Sequence, residues 1–231
     1  FSSQWKRGNS KVGFKEDCDS DSNRFNPNKV LFDPYAKEIS HDKSNPDVLG
    51  LHNAGMFGTG GAKYKGVPRR EFDTGKWAPK AILFRPAGST GRKPYLHQKD
   101  AAIYEAHPRG MTQHQSASKI KTYLSGIAGM EGVQNVPRKY RGTYKGLAYM
   151  AKYLKGLGFT TIELLPVHET DNDSNPPDSP GGNYWGYMTY GYFAPDRRYA
   201  YDKSPGGPTR EFKEMVKADR KSTRLNSSHY S

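Results

Sequence analysis

Two neighbouring stretches of this 231-residue sequence carry residue types and spacings that could do chemistry. The first is His168–Asn175, HETDNDSN, which packs Glu169, Asp171 and Asp173 among Thr170, Asn172 and Asn175. Calcium is held by about six to eight oxygens from such groups. The EF-hand loop is absent, because no glycine or closing glutamate stands at the required offsets. By composition alone such a stretch is more often an acidic surface loop built on Asx turns than a metal site. The second is Asn183–Tyr201, NYWGYMTYGYFAPDRRYAY, where residues 184–201 hold six of the 16 tyrosines, with Trp185 and Phe193. Aromatic faces stack on the C–H patches of sugars, and phenol hydroxyls satisfy sugar hydroxyls. On residue types alone, rings that pack a long loop onto a core are the simpler account.

Both stretches follow a segment that reads as α/β. Ala102–Ala106 (AIYEA) is a candidate strand. Tyr144–Leu157 places Leu147, Met150, Leu154 and Leu157 on one helical stripe, with lysines 145, 152 and 155 off it. Gly156 and Gly158 punctuate its end, and Phe159–Val167 (FTTIELLPV) is β-rich. Strand, helix and strand in one segment imply a parallel βαβ unit with a right-handed crossover. Residues 112–136 are irregular. After the loop, Phe212, Met215 and Val216 open another helical stripe, with Thr209 as N-cap and Glu211 in the first turn. Ligands bind at the C-terminal ends of parallel strands in such folds, which puts the two stretches where function belongs. Residues 1–100 read differently: short apolar pieces such as Ala81–Phe84 lie between Gly, Pro, Asn and Asp clusters, as in an all-β unit.

Composition narrows the classes. A single cysteine, Cys18, excludes a disulfide-stapled scaffold and a cysteine zinc cluster. No apolar run reaches the length of a membrane-spanning helix. The net charge of +13 first suggests a phosphate-binding surface. The charge is spread, however, with +7 over residues 1–100, +4 over 101–218 and +2 over 219–231. A solvated, lysine-rich surface accounts for it as well as a binding face does.

The ends read as unnatural. The chain opens on Phe1, and FSSQWKRGNSKVGF lacks the apolar core of a signal peptide. Asp219–His229, DRKSTRLNSSH, resembles the in-frame translation of a sequencing-library adapter. Residues 219–231 are therefore set aside and expected to be disordered, with the preceding helix cut at Ala218. The reading is of a piece truncated at both ends.

Several motifs together carry a resemblance. Arg24–Asp42 (RFNPNKVLFDPYAKEISHD) resembles part of the N-terminal β-sandwich, of carbohydrate-binding family 48 type, of isoamylase-type starch and glycogen debranching enzymes in glycoside hydrolase family 13. Ala102–Thr112 (AIYEAHPRGMT) resembles that family's first barrel strand. Tyr140–Leu147 (YRGTYKGL) and Leu157–Thr170 (LGFTTIELLPVHET) resemble its first helix entry and second strand. Asn183–Ala218 is the most specific match, and HETDND combined with YFAPDRRYAY points to the calcium-containing bacterial branch. The implied layout is multi-domain: an immunoglobulin-like β-sandwich over 1–100, then the first part of an α/β TIM (β/α)8 barrel over 101–218. Where the family has a non-proline residue, this chain has Pro108, which either sits just past the strand end or is a sequence error.

The resemblance also implies roles. Tyr187 matches the tyrosine that stacks on glucose at the cleavage subsite, with Tyr184 and Trp185 shaping the same wall. Glu169, Thr170, Asn172 and Asp196 match ligands of a structural calcium ion, Thr170 through its carbonyl, and Asp42 matches one from the N-terminal region. The family's reaction is retaining hydrolysis of α-1,6-glucosidic branches by a carboxylate nucleophile and a glutamic acid. These come from later strands, so no catalytic residue is expected in this chain, and it is expected to be inactive alone. Neither Glu163, within a strand, nor Glu169, a metal ligand, fills the gap. The implied partner is branched α-glucan, with no nucleic acid and no membrane, and a calcium site favours secretion or the periplasm over the cytoplasm. Two other readings stand beside this one: a non-catalytic glucan-binding protein and a basic nucleic-acid-binding protein.

Overall fold

A computed structural model describes residues 33–40, 79–85, 88–170 and 183–223. It divides the chain into two units. One comprises residues 1–33, 40–81 and 171–184, and the other 34–39, 82–170 and 185–231. The β-sandwich expected over 1–100 falls largely outside the described residues. In the first unit, Ser40 and Lys80 exchange two hydrogen bonds, Ser40 N to Lys80 O at 2.9 Å and Lys80 N to Ser40 Oγ at 3.0 Å. Residues 34–39 and 82–100 group with the second unit, so the division does not follow the expected boundary at residue 100.

The second unit is built on a βαβ motif. Strand β1 is Ile103–Ala106. Two one-turn helices follow: α1 (Gly110–Gln113) overlaps the start of the stretch expected to be irregular, 112–136, and α2 (Ile120–Tyr123) lies within it. Helix α3 spans Tyr144–Gly156, and Thr143 Oγ accepts from Gly146 N as its N-cap. Strand β2, Thr161–Leu164, then runs parallel to β1, with Ile103 opposite Thr161 and Ala106 opposite Leu164. It is shorter than the expected 159–167, because Pro166 cannot donate to a ladder. Pro108 lies two residues past β1, so its missing N–H costs the sheet nothing.

The expected stripe of α3 is mostly right. Leu147, Met150 and Leu154 are buried, but Leu157 is the C-cap and exposed, because the helix ends before that residue reaches the core. Gly158, at φ +91°, closes the end.

The sequence after β2, expected to be one long loop, forms a second sheet. Strand β3, His168–Thr170, pairs antiparallel with β4, Thr189–Pro195, through an irregular register that sets Glu169 opposite Gly191 and Thr170 opposite Thr189. Helix α4 begins at Gly207 rather than after Thr209, and it runs to Thr223, past the expected break at Ala218. Asp219–Thr223 contains neither Gly nor Pro to stop it. Asp219 is buried, and Arg220 Nη1 donates to Thr90 Oγ at 2.7 Å and to Gly91 O at 3.2 Å. The remainder of the expected tail, 224–231, lies outside the described residues. Helices α3 and α4 pack together around Tyr144, Leu147, Met150, Val167, Tyr199, Met215 and Val216.

Candidate functional site

The site starts where β1 and β2 end. His107 follows β1 directly, and its Nδ1 accepts from the backbone N–H of Arg109 (3.1 Å) and Gly110 (3.0 Å). That double acceptance assigns the ring proton to Nε2. Val167, between β2 and β3, offers its carbonyl to Asp196 N at 2.7 Å and to Tyr144 Oη at 3.2 Å. Tyr144 Oη also donates to Asp196 O at 2.9 Å. A helix residue thus ties the two strands of the second sheet to the end of the first.

Three of the expected metal ligands meet beneath this point. Glu169, Thr170 and Asp196 are fully buried. Thr170 Oγ donates to Asp196 Oδ2 at 2.9 Å, and Arg198 Nε stands 2.9 Å from the same oxygen. Asp196 Oδ1 accepts from Arg198 N at 2.9 Å, and Glu169 Oε2 accepts from Arg197 N at 3.3 Å. The turn Arg197–Tyr199 therefore presents successive amides to both carboxylates. Asp42 and Asn172, the other expected ligands, lie outside the described residues. Among the described residues no group of three or more His, Cys, Asp or Glu side chains could hold a metal ion. The donors present are two carboxylates and a threonine. By their chemistry they fit a hard, oxygen-seeking cation.

The aromatic stretch serves two ends. Tyr199 is buried and Tyr190 half-buried, whereas Trp185 (55%) and Tyr187 (59%) are exposed. Trp185 meets His107 edge-on at 6.1 Å, His107 meets Tyr199 at 5.8 Å, Tyr199 meets Tyr144 at 5.7 Å, and Tyr144 meets Phe212 at 5.4 Å. This run of edge-to-face rings anchors an exposed indole to the core. Tyr184 falls in the first unit and is itself partly exposed.

The backbone around Tyr187 is held in a rare shape. Gly186 has φ +85° and Met188 φ +70°, so left-handed residues flank the tyrosine on both sides. Glycine adopts this at no steric cost, but methionine pays about 1–2 kcal/mol. Gly191 is required for a different reason. A Cβ there would stand 2.7 Å from Ile39 Cδ1 and 3.1 Å from Glu169 Cβ.

The sequence reading did not single out His107, Tyr144, Arg198 or Tyr199. Asp196 followed by an amide donor two residues on is a legible Asx-type turn, and it could have drawn notice to Arg198. The amides that His107 accepts from are local, but the rings it packs on, Trp185 and Tyr199, lie far along the chain.

No family model matches the chain. It is 45% identical over 222 residues to the isoamylase of Pseudomonas amyloderamosa, a match covering 94% of this chain and 25% of that protein. It is 47% identical over 222 residues to the isoamylase of a Flavobacterium species, with the same coverage. It is 32% identical over 199 residues to the glycogen operon protein GlgX homolog of Mycobacterium tuberculosis, covering 84% and 24%. Among solved structures, it is similar to the catalytic module of SpuA, a multi-modular glycogen-degrading pneumococcal virulence factor. That likeness has TM-score 0.53 and 25% identity, over 84% of this chain and 24% of that one. A likeness in fold alone links it to the GBS pullulanase SAP in complex with maltotetraose, with TM-score 0.52 and 24% identity over 84% and 22%. The chain spans about a quarter of the length of the curated relatives it matches, and by sequence it belongs to the isoamylase family.

Proposed function

We propose that the full-length protein containing this chain hydrolyses the α-1,6 branch points of glycogen or amylopectin with retention of configuration. In this reading β1, α3, β2 and α4 are the first part of a (β/α)8 barrel, preceded by a β-sandwich over residues 1–100. Tyr187 stacks on a glucose ring, and Trp185 and Tyr184 extend the wall. The nucleophilic and acid carboxylates belong to parts of the protein outside this segment. This chain supplies sugar positioning, and it has no hydrolytic activity alone. The observation that carries the reading is the exposure of Trp185 and Tyr187 on a rigid base, with Trp185 anchored through His107, Tyr199 and Tyr144.

Glu169, Thr170 and Asp196, with Asp42 and Asn172, would hold a calcium ion, which would supply fixed positive charge in a structural role. Within the chain, Thr170 and the amides of Arg197 and Arg198 hold the two carboxylates in place.

The experiment compares the full-length protein with its Tyr187→Ala variant on amylopectin, counting released linear chains. Ring stacking on a sugar is worth about 1–3 kcal/mol by analogy with other ring stacking, or about 5- to 150-fold in kcat/KM. Release of linear chains by the native protein, and a loss of that size in the variant, is expected. A protein that opens no branch points overturns the reading.

A further inference from the structure

Gly186 is buried, although it lies between two exposed rings. The space beside its α-carbon is occupied: a Cβ would stand 2.7 Å from Arg198 Nη2, 2.9 Å from Pro166 O and 3.3 Å from Tyr199 Oη. The guanidinium of Arg198 is therefore packed beneath the turn that separates Trp185 from Tyr187. Its side chain is only 11% exposed. Its Nε lies 2.9 Å from buried Asp196 Oδ2, Nη2 donates to Tyr199 Oη, and Cζ sits 4.5 Å from the centroid of the Tyr199 ring. Tyr199 in turn packs on His107, which packs on Trp185.

We propose that Arg198 is a positioning residue for the sugar-stacking wall, coupling the buried carboxylate of Asp196 to the Gly186 turn and so fixing the presentation of Trp185 and Tyr187. The inference rests on the glucan reading of those two rings. The planar fork explains why this position holds arginine. One edge serves Asp196, another nitrogen serves Tyr199 and lines the Gly186 turn, and the flat face covers the Tyr199 ring. A lysine ammonium has neither the plane nor the spread of donors to do all of these. Arg198 does not touch a reacting atom; it acts through the wall.

The test is a double-mutant cycle in the full-length protein, Arg198→Lys against Tyr187→Ala. It reads the dissociation constant of a linear maltooligosaccharide by calorimetry, kcat and KM on amylopectin, and thermal stability. Arg198→Lys is expected to weaken oligosaccharide binding and raise KM about tenfold, a change typical of coupled contacts, with kcat less affected. In the Tyr187→Ala background the same change should add little. An equal loss in both backgrounds, or a lowered melting temperature with unchanged affinity, overturns the proposal. Arg198→Gln, which keeps planar donors without the charge, replaces the lysine variant if that one does not fold, under the same criteria. If Tyr187→Ala alone leaves affinity unchanged, the stacking reading itself fails and the role of Arg198 falls with it.

Discussion

Asp196 is a buried carboxylate whose two oxygens answer to different neighbours, Oδ1 to an amide and Oδ2 to Thr170 and Arg198. Together with Glu169 it places two acids in a site sealed from water, which is costly unless charge is balanced. Arg198 stands beside Asp196, and Lys203 interacts electrostatically with both acids. A ligand that binds only the folded state, as the proposed calcium ion would, stabilises it by about 2.7 kcal/mol at a hundredfold excess over its dissociation constant. The full-length protein is therefore expected to melt several degrees higher in calcium than in a chelator, and Asp196→Asn should remove most of that difference. Thermal unfolding with and without calcium measures it, and equal melting temperatures in the native protein exclude the ion from this site. Residue types alone did not separate these acids from an ordinary acidic loop. A metal-binding role is implied for them only by the family resemblance, because a ligand set is assembled by the fold. Arg198 and His107 bond to near neighbours in sequence, but what lies against them, the Gly186 turn and the ring of Trp185, comes together only in the fold.

The elements were read with uneven success. Helices α3 and α4 announce themselves, since Leu147, Met150 and Leu154, and later Phe212, Met215 and Val216, fall at helical spacing and pack together. Strand β4 does not. Its buried residues are Gly191, Ala194 and Pro195, while Tyr192 and Phe193 are exposed, the reverse of what hydrophobicity suggests. Small residues are buried there because Ile39 and Glu169 already fill the space beside Gly191. The start of α4 was misplaced for a related reason. Thr209 does not cap the helix; its hydroxyl and amide both donate to Glu38, at 2.8 and 3.1 Å, and Gly206 N donates to the other carboxylate oxygen at 2.6 Å. Glu38 is 1% exposed and lies far back in the sequence, so the cap is tertiary. A carboxylate at a helix N-terminus also meets the favourable end of the helix dipole. Glu38→Ala leaves three donors without their acceptor and should cost about 2–3 kcal/mol. Thr209→Val should add less than its own single cost in that background. Denaturant unfolding reads the totals, and hydrogen exchange at Gly206, Thr209 and Arg210 reads the locality. Uniform protection at those amides in Glu38→Ala contradicts the capping role.

At the scale of the molecule, the βαβ unit is legible but its surroundings are not. Among the described residues β1 pairs only with β2, and a two-stranded sheet is too small to be stable by itself. Beside β2, between α3 and α4, lies a cavity of about 410 Å³ lined by Leu147, Ala151, Ile162, Leu164, Phe212 and Met215. The space is partly open to solvent, and each Å² of apolar surface left wet there forgoes about 25 cal/mol of burial. Parallel sheets are stable when both faces are covered and their edges paired. Nothing in the pattern of residues 101–218 specifies what occupies the space, because a strand's partner is written into the partner. The 231-residue chain produced alone is thus expected to bind an apolar dye and to unfold over a broad thermal range. The full-length protein should unfold more sharply and bind far less dye. Fluorescence titration and calorimetry on the two proteins side by side decide the matter. A sharp transition without dye binding in the short chain would mean that α3, α4 and the two strands close on themselves, and the cavity would then be a feature of a self-sufficient unit rather than a seat for further chain.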